Sequence, residues 1–241
     1  MTQRLDQALV SAGLADSRSR AQALVAAGVV LVDGVAAKKP SQKVSDEALT
    51  LTGNPNPWVS RAALKLDHAL RAFALSPEGV VALDVGASTG GFTEVLLANG
   101  AARVYALDVG HGQLHDRLKT DPRVVNIEGV NARDIPDGLI PPVDWIVTDV
   151  SFISLQKALP AALSLAGTGA TLVALIKPQF EVGRANIGKG GIVKDTAAQQ
   201  AVRDRIEMFL DTEGWQVTHR ADSPITGSDG NREFLVAAAK R

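Results

Sequence analysis

Between Gly79 and Phe92 the chain reads GVVALDVGASTGGF, and this stretch limits the architecture more than any other. An apolar run, Val80 to Leu83, leads to an acid, Asp84. It then breaks into Gly86, Ser88, Thr89, Gly90 and Gly91 before Phe92, Val95 and Leu96 resume at helical spacing. The order is strand, glycine loop, helix. Glycine lacks a Cβ and tolerates positive φ, and the N–H groups at a helix start are free donors. The loop is therefore expected to cradle a ligand against the backbone.

The identity of that ligand turns on the acids. A dinucleotide site uses G-x-G-x-x-G with its second glycine facing pyrophosphate, and here that position is Ser88. The next apolar run, Val104 to Leu107, ends in Asp108, where an acid would hold ribose hydroxyls in either cofactor class. Asp84 fits the acid-x-Gly pattern of S-adenosylmethionine (SAM) methyltransferases better than a pyrophosphate site. NAD and a plain tight turn remain the alternatives. The expected cofactor set is Asp84, Gly86, Ser88, Thr89, Gly90, Gly91, Phe92, Asp108 and Asn131.

Composition excludes several classes. With 241 residues, 46% of them hydrophobic, the chain can bury a core in one domain or two. It contains no cysteine, so it has neither a disulfide frame nor a thiolate zinc site, which agrees with a cytoplasmic location. His68, His111, His115 and His219 are scattered without ligand spacing, and no metal is expected. MTQRLDQALV lacks a basic segment followed by an apolar one, so no secretory signal is visible. The most apolar stretch, Leu163 to Ile176, is broken by Ser164, Gly167, Thr168 and Gly169. It falls short of the roughly 18 residues of a membrane span, and no membrane role is expected. Net charge is −1, which alone does not point to nucleic acid.

Along the chain, Leu5, Ala8, Leu9 and Ala12 share one helical face in residues 3–12, closed by Gly13. A second helix starts near Asp16 or Ser17, with Arg18 and Arg20 in its first turn. Val29 to Val32, the Asp33-Gly34 turn and Val35 read as a hairpin, and Ala48 to Leu51 as a further strand. Residues 3–51 closely resemble the S-four type of RNA-binding domain. The resemblance implies RNA contacts at Arg4, Arg18, Arg20, Lys38 and Lys39; on charge alone these are ordinary solvated residues. GNPNP, from Gly53 to Pro57, suits neither helix nor strand. The expected organisation is a small α+β RNA-binding domain at 1–52, a linker at 53–59 and a second domain at 60–241. Ser60 is placed to cap a helix through Ala63, Leu64, Leu66, Ala69 and Leu70 that carries Lys65.

From Gly79 onward strands and helices alternate. Apolar runs at 80–84, 104–108, 124–127, 145–149 and 172–176 predict a parallel sheet with helices on both faces. Strands at 215–219 and 233–239, with an Asp229-Gly230 turn between them, complete a Rossmann-like α/β sheet of seven strands whose last is antiparallel. Ligands of such sheets sit beyond the carboxyl ends of the strands. Asp84, Asp108, Asp149 and Lys177 lie at such ends, and Glu233, at the start of an antiparallel strand, falls on the same rim. After Asp149 comes Val150-Ser151-Phe152-Ile153, not the Asn/Asp-Pro-Pro-aromatic arrangement that holds an exocyclic nitrogen. With no cysteine for attack on a pyrimidine carbon, the remaining chemistry is activation of a hydroxyl.

Lys65, Asp149, Lys177 and Glu233 match the Lys-Asp-Lys-Glu tetrad of ribose 2′-O-methyltransferases of the FtsJ-like fold. The segments VSRAALKL, LDVGASTGGFT, VTDVSFISL, LIKPQFE, GKGGIVKD and GSDGNREFL, with the N-terminal domain, resemble the TlyA family, also called haemolysin A. That resemblance implies SAM-dependent 2′-O-methylation of cytidines in ribosomal RNA, with ribosomal RNA or subunits as partners. A hydroxyl is a weak nucleophile, so its proton must leave as it attacks the sulfonium methyl. Lys177 is the expected base, oriented by Asp149; Lys65 steadies the alkoxide and Glu233 positions Lys65 or the ribose. The segment from Pro178 to Lys194 carries four glycines, Gly183, Gly188, Gly190 and Gly191, and the cations Arg184, Lys189 and Lys194. It reads as a substrate lid or RNA clamp, or else as a surface connection. Two other functions remain open: a catalytically silent ribosome- or RNA-binding protein, and a membrane-active haemolysin, which nothing amphipathic supports.

Overall fold

The computed structural model describes residues 2–15, 17–53, 57–183, 187–227 and 229–241. The chain divides into two compact units, Met1–Pro57 and Trp58–Arg241.

In the first unit, β1 (Gln3–Arg4) precedes α1 (Leu5–Ser11) and α2 (Arg18–Ala26), followed by β2 (Val30–Val32), β3 (Val35–Ala36), β4 (Lys43–Val44) and β5 (Leu49–Leu51). The periodicity of residues 3–12 predicts helix throughout, yet Gln3 and Arg4 pair antiparallel with Val44 and Lys43. The amides of Leu5 and Asp6 then donate to the carbonyls of Gln42 and Pro40, at 2.7 and 3.0 Å. A partner forty residues away thus captures the first two positions, which a local pattern does not register. The helix ends as expected at Gly13, where Leu14 N–H donates to Leu9 O at 2.9 Å. Ser17 caps α2 by accepting from Arg20 N–H at 3.2 Å. Asp33 and Gly34 both take positive φ, 49° and 78°, the geometry of a tight turn between β2 and β3. Leu5, Leu9, Leu24, Val25, Val30 and Val44 form the core.

Asp6 lies within this unit with its carboxylate fully buried. Arg4 grips it with two parallel bonds of 3.0 Å, Gln22 donates at 3.0 Å and Arg18 at 3.2 Å. These donors, Arg4 first, hold the acid well below the usual carboxylate range. The network ties β1, α1 and α2 together.

The second unit starts with α3 (Ala63–Ala72), which has no side-chain cap; Ser60 does not fill that role, and its hydroxyl is buried without a partner among the described residues. Next come β6 (Val81–Val85), α4 (Gly91–Ala98), β7 (Arg103–Asp108), α5 (Asp116–Lys119), β8 (Val124–Glu128) and β9 (Val143–Thr148). They are followed by α6 (Leu155–Ala158), α7 (Pro160–Ser164), β10 (Ala166–Ile176), α8 (Pro178–Glu181), α9 (Thr196–Thr212), β11 (Trp215–Asp222) and β12 (Phe234–Lys240). The seven-stranded sheet has the order β11-β12-β10-β9-β6-β7-β8. Neighbours from β10 to β8 are parallel, and β12 runs antiparallel to both β10 and β11. This is the Rossmann-like sheet, with one antiparallel strand, that the alternation of apolar runs predicts. Side chains alternate across it. Leu83 and Val85 face a core covered by Leu155, Leu159, Val202, Ile206 and Leu210, while Ala82 faces one covered by Leu66, Leu70, Phe92 and Leu96.

The Asp6 network generates a prediction for the first unit. A carboxylate held below its ordinary value stabilises the fold above about pH 4, and that contribution fades as pH falls further. The protection factors of the amides in residues 5–11 and 18–26, relative to intrinsic exchange at each pH, should therefore fall on acidification below about pH 4. Asp6→Asn should show the lower protection already at neutral pH, with protection of β6 and β9 unchanged.

Candidate active site

At the end of β6 the chain turns on Gly86, whose φ is +82° and on which a Cβ would come within 2.9 Å of Val150 Cγ1. Gly90, at φ +94°, opens α4, and a Cβ there would sit 2.2 Å from Leu118 Cδ1. Ser88 holds φ +49° without being glycine. Most of the loop's N–H groups are taken internally. Gly86 and Ala87 donate to Leu107 O at 2.8 and 3.0 Å, Gly90 to Ala87 O at 2.8 Å, and Ser88 to Asp108 Oδ2 at 2.8 Å. The expectation of a loop full of free donors is thus met only in part. What the loop offers is an approach to bare backbone.

Beside it lies a cleft of about 490 Å³ lined by Gly86, Ser88, Asp108, Val109, Gln113, Asn131 and the segment from Asp149 to Ile153. Asp108 also accepts from Gly110 N–H at 2.7 Å. Glu128 accepts from the amides of Gly112, Gln113 and Leu114 at 2.6, 3.0 and 3.2 Å, and the Gly112 and Leu114 amides lead in lowering its pKa. That carboxylate shapes the cleft's wall and went unnoticed in the sequence, where it looks like any strand-end acid. A smaller space of about 220 Å³ reaches Thr89, Gly91, Phe92, Asp149, Ser151 and Lys177. Of the expected cofactor residues, Asp84 and Gly90 line neither cavity. Gly90 packs against Leu114 and Leu118. Asp84 is wholly buried beneath the loop, accepts from the Thr93 hydroxyl at 2.7 Å, and leaves Oδ1 without a side-chain partner among the described residues. Burial pushes its carboxyl up to about 7; the Thr93 bonds oppose this and the nearby Asp149 and Asp108 charges add to it.

The four residues of the tetrad meet. Lys177 Nζ stands 2.6 Å from Asp149 Oδ1, and Lys65 Nζ stands 3.4 Å from Asp149 Oδ2 and 2.7 Å from Glu233 Oε2. All four are nearly buried, their side chains between 2% and 11% exposed. Lys65 comes from α3; the others follow or precede β9, β10 and β12 at one edge of the sheet. Lys177 also donates to Ser151 Oγ at 2.8 Å, a contact that the sequence did not single out. Beyond Lys177 opens a second cleft of about 420 Å³, lined by Ser151, Phe152, Gln179, Phe180, Asp229 and Glu233 among others. The tetrad therefore separates two spaces, one bordered by the glycine loop and one by the segment after β10. Two adjoining sites, with paired cations and carboxylates between them, suit group transfer to an oxygen nucleophile.

The FtsJ-like methyltransferase profile matches residues 58–240, and an S4 domain profile matches residues 3–49. The chain is 47% identical over 236 residues to the Mycobacterium tuberculosis 16S/23S rRNA (cytidine-2′-O)-methyltransferase TlyA, covering 97% of this chain and 88% of that protein. It belongs to the TlyA family of FtsJ-like methyltransferases. Hemolysin A of Brachyspira hyodysenteriae is 43% identical over 238 residues, covering 97% of this chain and 98% of that one. A solved structure of a candidate hemolysin from Streptococcus thermophilus superposes with a TM-score of 0.78 at 41% identity, over 99% of this chain and 88% of that one. As a TlyA-family member, the chain is an enzyme of the methyltransferase class.

Of the residues that the resemblance assigns to RNA, Arg4 and Arg18 are engaged by Asp6 while keeping 43% and 55% of their side-chain surface. Arg20 is half-buried, and Lys38 and Lys39 are exposed. Lys189, in a short 3-10 turn at Lys189–Gly191, is exposed as well. Arg184 lies outside the described residues.

Asp84 makes a testable pH signature. A carboxyl raised in the fold favours folding while it is protonated, and this advantage is lost as pH rises from about 4 through about 7. Asp84→Asn, which can still accept from Thr93, should match the wild-type melting temperature near pH 4. It should exceed the wild type by a widening margin up to about pH 7, with a constant difference above that.

Proposed function

We propose that this enzyme transfers the methyl group of SAM to a ribose 2′-hydroxyl of ribosomal RNA, with cytidine as the target nucleoside. The observation that carries this reading is the buried Lys65–Asp149–Lys177–Glu233 cluster standing between two clefts. Cytidine and ribosomal RNA follow from the names of the relatives. The glycine-loop cleft fits the cofactor. Bare backbone at Gly86 admits close approach, Asp108 and Asn131 offer polar atoms for an adenosine's hydroxyls and base, and Val109 offers an apolar wall. When bound, SAM supplies a sulfonium methyl as electrophile.

The chain's own residues do the rest. Lys177, as the free amine, accepts the proton of the 2′-hydroxyl, and Asp149 fixes the direction of its Nζ through the 2.6 Å contact. Lys65, held by Glu233 and Asp149, places a positive charge where the oxygen becomes electron-rich. The near-complete burial of the four groups strengthens each of these interactions over its value in water. Arg4, Arg18, Arg20, Lys38, Lys39 and Lys189 supply phosphate contacts, and with them a salt-dependent affinity for RNA. Ribosomal subunits and a cytoplasmic location belong to the same proposal. No helix among the described residues is long and apolar enough to cross a membrane.

Lys177→Ala should lower methyl transfer to ribosomal RNA by about 10²- to 10⁴-fold while SAM affinity stays near wild type. Mapping of 2′-O-methyl positions in ribosomal RNA, with and without the protein, checks the product. Retained transfer in Lys177→Ala would put the base elsewhere. RNA binding with no methyl incorporation by the wild type would favour the silent binding protein.

A further inference from the structure

Lys177 has three oxygen neighbours within hydrogen-bonding range: Asp149 Oδ1 at 2.6 Å, the Asp149 carbonyl at 3.4 Å and Ser151 Oγ at 2.8 Å. They are not equivalent. A carboxylate and a carbonyl only accept, whereas a serine hydroxyl both accepts and donates. The Ser151 hydroxyl and the Asp149 carbonyl accept hydrogen bonds from Nζ, and the carboxylate oxygen faces it as an ion pair. A free amine carries a lone pair, which both acceptor-only oxygens of Asp149 repel. The lone pair is left facing the one neighbour that can donate to it.

We propose that Ser151 is a positioning residue for the base: its hydroxyl donates to the lone pair of the neutral Lys177 and holds the place and direction of the incoming ribose hydroxyl. The proposal rests on Lys177 being the base. Placement supports it, because Ser151 borders the glycine-loop cleft, the second cleft and the small space between them. Ser151 is exposed, while Lys177 beside it keeps only 9% of its side-chain surface. A nucleophile that reaches Nζ along the lone pair therefore arrives over Ser151, at the junction of both clefts. As the ribose hydroxyl takes the lone pair, the Ser151 hydroxyl turns away and is free to accept from or donate to the same sugar. The proton passes from the 2′-oxygen to Nζ as the O–CH₃ bond forms and the S–CH₃ bond breaks. This leaves Lys177 an ammonium that again uses Ser151 as an acceptor.

Steady-state methylation of ribosomal RNA by Ser151→Ala, Ser151→Thr and Lys177→Ala tests this. Ser151→Ala should lose about tenfold in kcat, the worth of one well-aligned hydrogen bond, with the KM values for SAM and RNA within about twofold of wild type. Ser151→Thr, which keeps the hydroxyl, should recover most of that loss. A wild-type kcat in Ser151→Ala would overturn the proposal, as would a loss that Thr does not repair or one that appears mainly in KM. If Lys177→Ala remains active, the reading of the base fails and the proposal falls with it. If Lys177→Ala is inactive while Ser151→Ala matches wild type, only the role of Ser151 fails.

Discussion

The carboxylate of Asp149 is the contact on which the site depends. One of its oxygens meets Lys177 and the other Lys65, and Lys65 in turn meets Glu233. Burying any one of these ions alone would cost several kcal/mol, and an attraction between opposite charges offsets that cost only when the geometry is tight. With Lys177 as the ammonium, two cations and two anions alternate and the cluster is neutral as a whole, and removing one member leaves an uncompensated charge. The sheet order explains how such a cluster is assembled from distant sequence. Strands β12, β10, β9 and β6 are consecutive neighbours, about 4.8 Å apart. They bring Glu233, Lys177, Asp149 and Asp84 into a row along one edge, and α3 lays Lys65 across it.

Asp84 is the exception in that row. It follows Asp149 with the same sign, pairs with no cation among the described residues, and is wholly buried. Its compensation is the Thr93 hydroxyl in the first turn of α4, together with the positive end of that helix. The acid therefore acts on the cofactor side without touching the cleft. It fastens the helix that the glycine loop leads into, and the loop's position follows from that bond.

The strand ends were legible because an acid or lysine closing an apolar run is a local signal, and the rule that ligands gather beyond parallel strand ends turns such signals into a site. Asp149, Lys177 and Glu233 are legible for that reason, whereas Lys65, inside the apolar stripe of a helix, is marked only by the resemblance to the FtsJ-like tetrad. The antiparallel last strand was legible in the same way, from the Asp229-Gly230 turn, although the connection from β11 to β12 is a longer excursion than a tight hairpin. What escaped is whatever depends on a partner far along the chain. The β1–β4 pairing converts two helical-looking residues to strand. Ser60 forms no cap, and its hydroxyl lies in the space that a Cβ on Gly91 would fill. Ser151 has no pattern of its own and matters only because Lys177 is 26 residues away in sequence and 2.8 Å away in space. Arg4 and Arg18 look like free surface cations in the sequence, but a buried acid orients them.

The serine in the glycine loop shows how one such long-range contact alters a motif. A non-glycine residue in the left-handed region costs about 1 kcal/mol or more. Ser88 adopts φ +49°, and its N–H is held at 2.8 Å by Asp108 from the next strand. The same carboxylate takes Gly110 N–H with its other oxygen, so it clamps two loops on either side of the cleft that it lines. With Asp108 holding the turn, a serine is kept in the left-handed region, and the loop's shape comes to depend on an acid that also lines the cleft. A substitution at Asp108 therefore changes the wall of the cleft as well as a polar group inside it.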